Sequence, residues 1–420
     1  MSLQAAIPAR IQTDMPARIL IITNGHLSRN PRPHKEALAL GNAGFDVTVL
    51  SVRNHRSSGL QDAALARGAP FKRVEIDLLG GRGWSRWPAL FRRALQRAAR
   101  DLAHAGGPCT LPSLGPAGSL LRRARALPSD LVIVHNEVPH WVGLKLIGDG
   151  RRVAADIEDW HSEDLLPEDR RHRPLPLIRS VERGLLHRAV YTSTTSEALA
   201  DALAGRYGGT RPRVITNAFA LQPDPHRGPP GDPPSFFWFS QRLGPGRGLE
   251  PFLAAWAAMS RPSRVVLLGE PAGGYEERLR QAVPPALRDA ISFLPLVPPS
   301  ELPSVIALHD IGLALEEVAI VNRNLTITNK ILQYLNAGLA VVASSTAGQR
   351  EVLRHSPDAG LVVELNDAPS LSAVLDRLVA DRAALAGSQA AARRLAEDRY
   401  CWEIEAPRLV DLVTQATARR

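Results

Sequence analysis

The 420-residue chain has little cysteine, few aromatic residues and no long apolar run. Its two cysteines, Cys109 and Cys401, lie far apart and lack the spacing of metal ligands, which argues against a disulfide framework or a zinc site. No apolar run approaches the roughly 20 residues of a membrane-spanning helix, and residues 1–18 lack the apolar core of a signal peptide. We therefore expect a cytoplasmic protein.

Acidic residues are scarce in one segment, which carries nearly all of the net charge of +9. Between Arg82 and Arg125 there are nine arginines and one acid, Asp101. The segment resembles no known nucleic-acid-binding module, so we expect no nucleic-acid partner.

Apolar residues within this arginine-rich segment favour one of two helical arrangements. Trp84, Trp87, Leu90 and Phe91 are interspersed with Arg82, Arg86, Arg92, Arg93 and Arg97. The pattern is typical of a helix on an anionic membrane surface, and it also fits a solvated helix whose aromatic residues pack inward. The first alternative predicts peripheral contact with the inner face of a membrane.

Two series of short β-branched runs, each alternating with helical stretches, indicate two doubly wound parallel sheets. The first series extends from Arg18–Thr23 to Ala189–Thr192, and the second from Phe236–Phe239 to Gly360–Val363. Six prolines and two glycines between the two series mark a linker, whereas residues 103–128 are expected to be irregular. We predict an N-terminal domain (17–221), a linker (222–235), a C-terminal domain (236–398) and a C-terminal helix that crosses back (399–420).

Polar and basic loops follow two strands of the second series, where parallel sheets bind ligands. Arg242 and Arg247 precede a helix that begins near Leu249, and a second polar loop runs from 322 to 330. Its candidate ligand residues are Asn324, Thr326, Thr328, Asn329 and Lys330. Each loop alone fits an ordinary solvated surface or N-cap, but the two together favour a phosphate site.

The same loops carry longer motifs. Residues 241–248 look like Gly-Arg-Leu-x-Pro-x-Lys-Gly, and residues 329–344 look like Asn-Lys-x-x-Glu-Tyr-x-x-Ala-Gly-x-Pro-Val-Val-Ala-Ser. Together they resemble the bacterial retaining GT-B glycosyltransferases of family 4. The resemblance implies two Rossmann-like domains that face a cleft, with C-terminal helices packing back across the domains.

The resemblance also implies residue roles in the C-terminal domain. Arg242 and Arg247 would hold the diphosphate of a UDP- or GDP-linked sugar, and main-chain groups near Val297 would read the nucleobase. The chain departs from the family at two positions, because Leu325 and Gln333 replace a pair of glutamates. Gln333 can still bond a ribose hydroxyl, whereas Leu325 cannot replace a carboxylate.

In the N-terminal domain the resemblance points to three further residues. His135, at the end of a strand, matches a family histidine near the donor sugar, and Glu158 and Asp159 lie in an element related to Asp-x-His-Glu. We interpret them as groups that orient the sugar or the acceptor. No spaced Asp-x-Asp pair occurs at the site, so we predict neither a metal nor any cofactor besides the donor.

The resemblance thus implies transfer of a sugar, with retention of anomeric configuration, to a small-molecule or lipid-linked glycan acceptor. Arg242, Arg247, Lys330 and a helix N-terminus would stabilise the departing diphosphate. Two alternatives remain open: a nucleotide-sugar epimerase of the same architecture, and a degenerate, non-catalytic transferase that acts as a binding partner.

Overall fold

The computed structural model describes residues 15–80, 87–105, 111–166, 170, 173–223 and 229–418. These residues form two α/β domains, each built on a twisted sheet of parallel strands with helices on both faces. The two-domain GT-B class expected from the sequence is confirmed.

The N-terminal sheet has seven parallel strands in the order β3-β2-β1-β4-β5-β6-β7. Its strands are β1 (Arg18–Ile22), β2 (Asp46–Arg53), β3 (Phe71–Asp77), β4 (Leu131–His135), β5 (Val153–Asp156), β6 (Thr192–Thr194) and β7 (Arg213–Val214). Its helices are α1 (Pro31–Asn42), α2 (Arg56–Leu65), α3 (Trp87–His104), α4 (Ala117–Ala126), α5 (Glu137–Gly148), α6 (Leu175–Arg188) and α7 (Glu197–Tyr207).

Both faces of the N-terminal sheet are buried, which explains its continuous apolar strands. Alternate residues of β1 point to opposite sides: Leu20 and Ile22 pack with α4, α5 and α6, whereas Ile19 and Ile21 pack with α1. The last helix, Trp402–Ala418, contributes Leu409 and Val413 to this second face. The C-terminal helix therefore crosses back to the N-terminal domain, as the sequence predicts.

The C-terminal sheet has six parallel strands in the order β10-β9-β8-β11-β12-β13. Its strands are β8 (Ser235–Leu243), β9 (Arg264–Pro271), β10 (Ile291–Leu294), β11 (Ile311–Ala314), β12 (Ala340–Ser344) and β13 (Gly360–Val363). Its helices are α8 (Leu249–Ala257), α9 (Tyr275–Gln281), α10 (Leu302–Ile306), α11 (Val321–Leu325), α12 (Asn329–Asn336), α13 (Ala347–Leu353), α14 (Ala368–Ala380) and α15 (Arg382–Asp398), and the chain ends with α16 (Trp402–Ala418).

Helix α12 is fixed against the sheet by a close approach to β11. A Cβ atom at Gly312 would lie only 2.2 Å from the Tyr334 ring, so glycine is required at this contact. The Tyr334 hydroxyl donates to the Leu313 carbonyl at 3.3 Å. This packing sets the position of the N-terminus of α12, where Lys330 lies.

Three elements differ from the sequence-based expectations. The edge strand β3 was not expected, and Ala117–Ala126 is a helix within a stretch predicted to be irregular. The helical stretch that the sequence indicates over residues 370–397 is divided at Asp381, whose side chain caps α15 by accepting from the Ala383 and Ala384 amides. In the described part of the chain, none of the helices has both the length and the apolar content needed to cross a bilayer.

Both sheets have a switch point where connections leave in opposite directions, between β1 and β4 and between β8 and β11. The loops after β8 and β11 therefore meet at one edge of the C-terminal sheet. These loops contain Arg247 and Glu316, respectively.

Candidate active site between the two domains

A cavity of about 240 Å³ lies where loops that follow the strands of the two sheets meet. Residues of both domains line it: Asp159 and Asp164 from the first, and Arg247, Glu316, Asn322, Arg323, Thr326 and Thr328 from the second. A ligand in this cavity would contact both domains at once.

A second pocket lies within the N-terminal domain, around His140, His161 and Glu182. Its interior, about 10 Å³, has room for about one water molecule. The cavity between the domains is therefore the better candidate for a ligand site.

Arg247 and Lys330 converge on one carboxylate at this cavity. Arg247, just before α8, donates from Nη1 to both Glu316 oxygens at 3.2 and 3.1 Å. Lys330, in the first turn of α12, donates from Nζ to Glu316 Oε1 at 2.9 Å. The structure thus brings together two of the cations that the sequence assigns to a phosphate site.

Glu316 is only 3% exposed, yet its surroundings favour the ionised form. Burial by itself raises the pKa of the carboxyl, but Lys330 and Arg247 outweigh burial and hold the pKa below its usual value. The carboxylate is therefore charged and balances part of the positive charge around it.

A third cation lines the cavity, and it is not the one expected. Arg323 Nη1 donates to the Gly246 carbonyl at 3.3 Å, which joins the loops after β8 and β11. Arg242 instead lies exposed within β8, in register with Glu270 of β9, and is not among the lining residues. Its predicted contact with a diphosphate stays a prediction.

The opposite wall is acidic and is tied to the C-terminal domain by Asn322. Asn322 Nδ2 donates to Asp159 Oδ1 at 2.9 Å, and its Oδ1 accepts from the Trp160 amide at 2.8 Å. Burial raises the pKa of Asp159, and the Asn322 hydrogen bond opposes this shift. Asp159, predicted to act on the sugar or acceptor, therefore lies at the cavity.

The polar loop before α12 divides into residues that line the cavity and residues that hold the loop. Thr326 and Thr328 line it, and Thr328 Oγ1 is a buried atom with no hydrogen-bond partner among the described residues. Asn324 Oδ1 accepts from the Ala347 amide at 3.0 Å, and Asn329 Oδ1 accepts from Asn217 Nδ2 at 3.0 Å. Asn324 therefore holds the loop against the start of α13, and Asn329 joins the loop to the N-terminal domain.

The two residues predicted to contact the nucleoside lie away from this cavity's lining. Val297 packs against the core cluster that includes α12, and Gln333 is half-buried on α12 itself. Their roles in base and ribose binding stay predictions.

His135 lies in a buried ionic cluster instead of on the cavity wall. Its Nε2 lies 3.0 Å from Glu36 and its Nδ1 3.2 Å from Asp156, and the ring is 1% exposed. Burial alone would lower the pKa of His135, but these carboxylates raise it to about 10. The predicted contact with the donor sugar stays a prediction, and the geometry makes His135 a cation that organises the end of β4.

Glu158 lies between this cluster and the interdomain contacts. Its Oε1 accepts from Asn217 Nδ2 at 2.9 Å. Burial and the neighbouring Asp159 raise the pKa of Glu158 to about 7. Glu158 therefore titrates near neutral pH beside the residues that join the domains.

Leu325, which departs from the family pattern, forms an interdomain packing contact. It lies against an apolar cluster of the N-terminal domain that includes Trp160 and Leu199. Its carbonyl accepts from Ser196 Oγ at 2.6 Å. At this position, where the resemblance predicts a carboxylate, the chain has an apolar contact that joins the domains.

Among the described residues, one group of acids and histidines is compact enough to hold a metal ion: Glu36, His135 and Asp156. Arg32 already donates to both oxygens of Asp156, at 2.7 and 2.6 Å, so a further cation is disfavoured there. The acids that line the cavity are not part of this group.

Sequence reasoning missed four lining residues: Asp164, Glu316, Asn322 and Arg323. For Glu316 a signal existed, because it directly follows a predicted strand at the carboxyl edge of the sheet. For Asn322 and Asp164 the cue is the contact between domains, which the sequence does not reveal.

Two family models match the chain and together cover most of it. Residues 31–218 match the glycosyl transferase 4-like domain, and residues 234–381 match the glycosyl transferases group 1. The chain belongs to the GT-B glycosyltransferases. No curated protein matches the sequence significantly.

Solved structures with the fold of this glycosyltransferase include enzymes of distant sequence. Sucrose-phosphate synthase from Thermosynechococcus elongatus has a TM-score of 0.68 at 16% identity, covering 96% of this chain and 100% of that one. Anabaena HepE, solved with UDP and glucose, has a TM-score of 0.65 at 15% identity, covering 95% and 100%. An E. coli protein described as trehalose-6-phosphate bound with UDP-2-fluoro glucose has a TM-score of 0.62 at 14% identity, covering 96% of this chain and 99% of that one. At these identities the likeness establishes the fold alone.

Proposed function

We propose that this glycosyltransferase transfers a sugar from a UDP- or GDP-linked donor to a small-molecule or lipid-linked glycan acceptor, with retention. The observation that carries the proposal is the convergence of Arg247 and Lys330 on Glu316 at the cavity. The solved relatives that contain UDP or a UDP-sugar support the donor class. The two family matches favour sugar transfer over the epimerase alternative.

In the proposed reaction the bond between the anomeric carbon and the diphosphate breaks, and a bond from the acceptor oxygen to that carbon forms. The acceptor's proton leaves with the departing phosphate oxygen, so the reaction is balanced without a further reagent. Negative charge grows on that oxygen, and Arg247, Lys330 and Arg323 can stabilise it. These protein cations are the basis for proposing that no metal is required.

Isothermal titration calorimetry with UDP and GDP tests the donor site. Replacing Arg247→Ala should weaken binding about tenfold or more, because a charge-assisted hydrogen bond contributes about 1.5–3 kcal/mol. Arg264→Ala, an exposed arginine at the amino end of β9, is the matched control and should bind normally. The affinity of Arg242→Ala for the same nucleotides tests the sequence-based prediction that Arg242 also contacts the diphosphate. Equal affinity of Arg247→Ala and the wild type would contradict the proposed site.

We also propose that α3 contacts an anionic membrane surface. Trp87, Phe91, Leu95 and Leu102 recur at spacings of four and seven on one face of the helix, and they are 62%, 72%, 50% and 51% exposed. Exposed arginines, Arg93, Arg97 and Arg100, lie on the other side. An apolar face opposite a basic face is typical of interfacial helices. The flanking residues 81–86, with Arg82 and Arg86, lie outside the described residues.

Vesicle flotation tests this surface. The wild-type protein should float with phosphatidylglycerol vesicles at low salt, less at high salt, and not with phosphatidylcholine alone. Phe91→Ser with Leu95→Ser should abolish flotation. Leu308→Ser, which changes a 79% exposed leucine of the C-terminal domain, should not. Self-association without vesicle binding would instead indicate a contact between copies.

A further inference from the structure

We propose that Glu316 is a positioning residue that holds Lys330 beside Arg247 and directs its ammonium group toward the donor's diphosphate. The inference rests on the proposed function and adds a residue that neither the motifs nor the family matches single out. Glu316 is 3% exposed, lines the cavity and is the shared partner of Lys330 and Arg247.

Both cations keep donors for a ligand after they bind Glu316. Lys330 uses one N–H on Glu316, and the Trp238 ring centroid lies 5.4 Å from its Nζ, which limits where the ammonium can move. Arg247 reaches Glu316 through Nη1 alone. Its Nε and Nη2 remain for phosphate oxygens. Glu316 therefore holds the two cations together without exhausting their hydrogen bonds.

Glu316 is itself held by the adjacent strand. Its backbone N–H donates to Ser344 Oγ at 2.9 Å, at the end of β12. Ser344 Oγ also accepts from Gln349 Nε2 at 2.8 Å, and both residues are buried. The backbone of Glu316 is thus held at the carboxyl edge of the sheet, and this limits where the carboxylate can lie.

Lys330 needs this carboxylate because its other charged neighbours do not hold it in place. It is 8% exposed, and a buried ammonium group requires a charged hydrogen-bond partner. Arg247 and Arg323 face the same carboxylate and add like charge, while Asp159 and Asp164 lie on the opposite wall and Glu317 lies beside Gly246. Without Glu316, the like charges should move apart, and the ammonium group should lose its charge-assisted contact to phosphate.

The chain permits a direct measurement, since it contains only four lysines: Lys35, Lys72, Lys145 and Lys330. Lysine labelled with ¹³C at Cε gives one signal for each, and Lys330→Arg assigns the one of interest. We would record this signal at constant pH, without nucleotide and with saturating UDP or GDP, in the wild type, Glu316→Gln, Glu316→Asp and Glu317→Gln. Isothermal titration calorimetry gives the affinity of each variant for the same nucleotides.

In the wild type, bound nucleotide should shift the Lys330 signal, because the ammonium group contacts phosphate. In Glu316→Gln this shift should be lost, and nucleotide affinity should fall about tenfold, the loss expected for one charge-assisted contact. Glu316→Asp, which keeps the charge, and Glu317→Gln, which removes a nearby charge, should behave as the wild type does.

The outcomes separate the two proposals. A Lys330 signal that shifts with nucleotide in Glu316→Gln as it does in the wild type, even with weaker binding, would mean that Glu316 has a structural role only, and would overturn the inference. If the wild type itself binds neither UDP nor GDP, the proposed function fails. Thermal melts of each variant confirm that the compared proteins are folded.

Discussion

At the scale of single residues, the N-terminal domain buries charge at the ends of β4 and β5. Arg32 donates to both oxygens of Asp156, and its Nη1 donates to the Ile215 carbonyl at 2.9 Å. His135 lies between Asp156 and Glu36. Two cations and two carboxylates therefore balance, which is how a buried cluster of charges is tolerated.

This cluster predicts a specific loss of stability at alkaline pH. The pKa of His135 is raised to about 10 in the folded protein, from about 6.5 in an unfolded chain. Its stabilising contribution should therefore be complete below about pH 6.5 and be lost as the pH rises toward 10, by at most roughly 1.4 kcal/mol per pH unit. Buried Lys35, whose pKa is lowered to about 7, contributes the opposite slope over this range. Urea unfolding at pH 6 to 10 should therefore show that the free energy of unfolding falls less, or rises more, with pH in His135→Gln than in the wild type.

His140→Gln is the control for this change in the free energy of unfolding with pH. Burial lowers the pKa of His140 to about 4, so this ring is neutral in both folded and unfolded states above about pH 7. Its replacement should leave the alkaline slope unchanged, whatever it does to overall stability. If His135→Gln keeps the wild-type slope, the proton is not held by His135.

At the scale of elements, strands that are continuous apolar runs were predictable, and a charged edge strand was not. The predicted strands Arg18–Thr23 and Gly360–Val363 match β1 and β13 to within one residue, because each is an apolar run, although β13 lies at an edge of its sheet. Strand β3 reads Phe-Lys-Arg-Val-Glu-Ile-Asp, an edge strand whose charges obscure that signal. Helix α4 follows a stretch rich in glycine and proline, which suggested an irregular region.

The site was predictable where one loop carries the information. Lys330 and Thr328 could be recognised from their place before α12 and after a run of polar residues. Glu316 could not be assigned a role, since the role arises from Arg247, 69 positions earlier, and Lys330, 14 positions later. The same holds for Leu325, whose packing partners all belong to the other domain.

At the scale of the whole molecule, α13 of the C-terminal domain caps a helix of the N-terminal domain. The Glu351 carboxylate accepts from the Glu197 amide at 2.9 Å and the Ala198 amide at 3.0 Å, at the N-terminus of α7. A Cβ atom at Gly348 would lie 2.2 Å from the Thr326 carbonyl oxygen, so α13 also fixes the loop that lines the cavity. Domain contact and cavity shape therefore depend on the same short helix.

Removing this cap should open the molecule. Glu351→Ala loses two charge-assisted hydrogen bonds, each contributing about 1.5–3 kcal/mol, so the population with the domains apart should rise. Small-angle X-ray scattering should then report a larger radius of gyration for the variant without ligand. Glu364→Ala, a 68% exposed carboxylate of the same domain, is the control. Identical scattering from all three proteins would show that Glu351 does not hold the domains together.

The chain crosses between the domains twice, and the two crossings lie side by side. Phe219 and Cys401 form an isolated parallel bridge, and Lys35 Nζ lies 4.9 Å from the ring centroids of both Phe219 and Trp402. Because the two crossings are adjacent and share one lysine, we expect the domains to rotate about a single axis, with little freedom to twist. Opening would then carry the two walls apart along one arc and return them in the same alignment at each turnover.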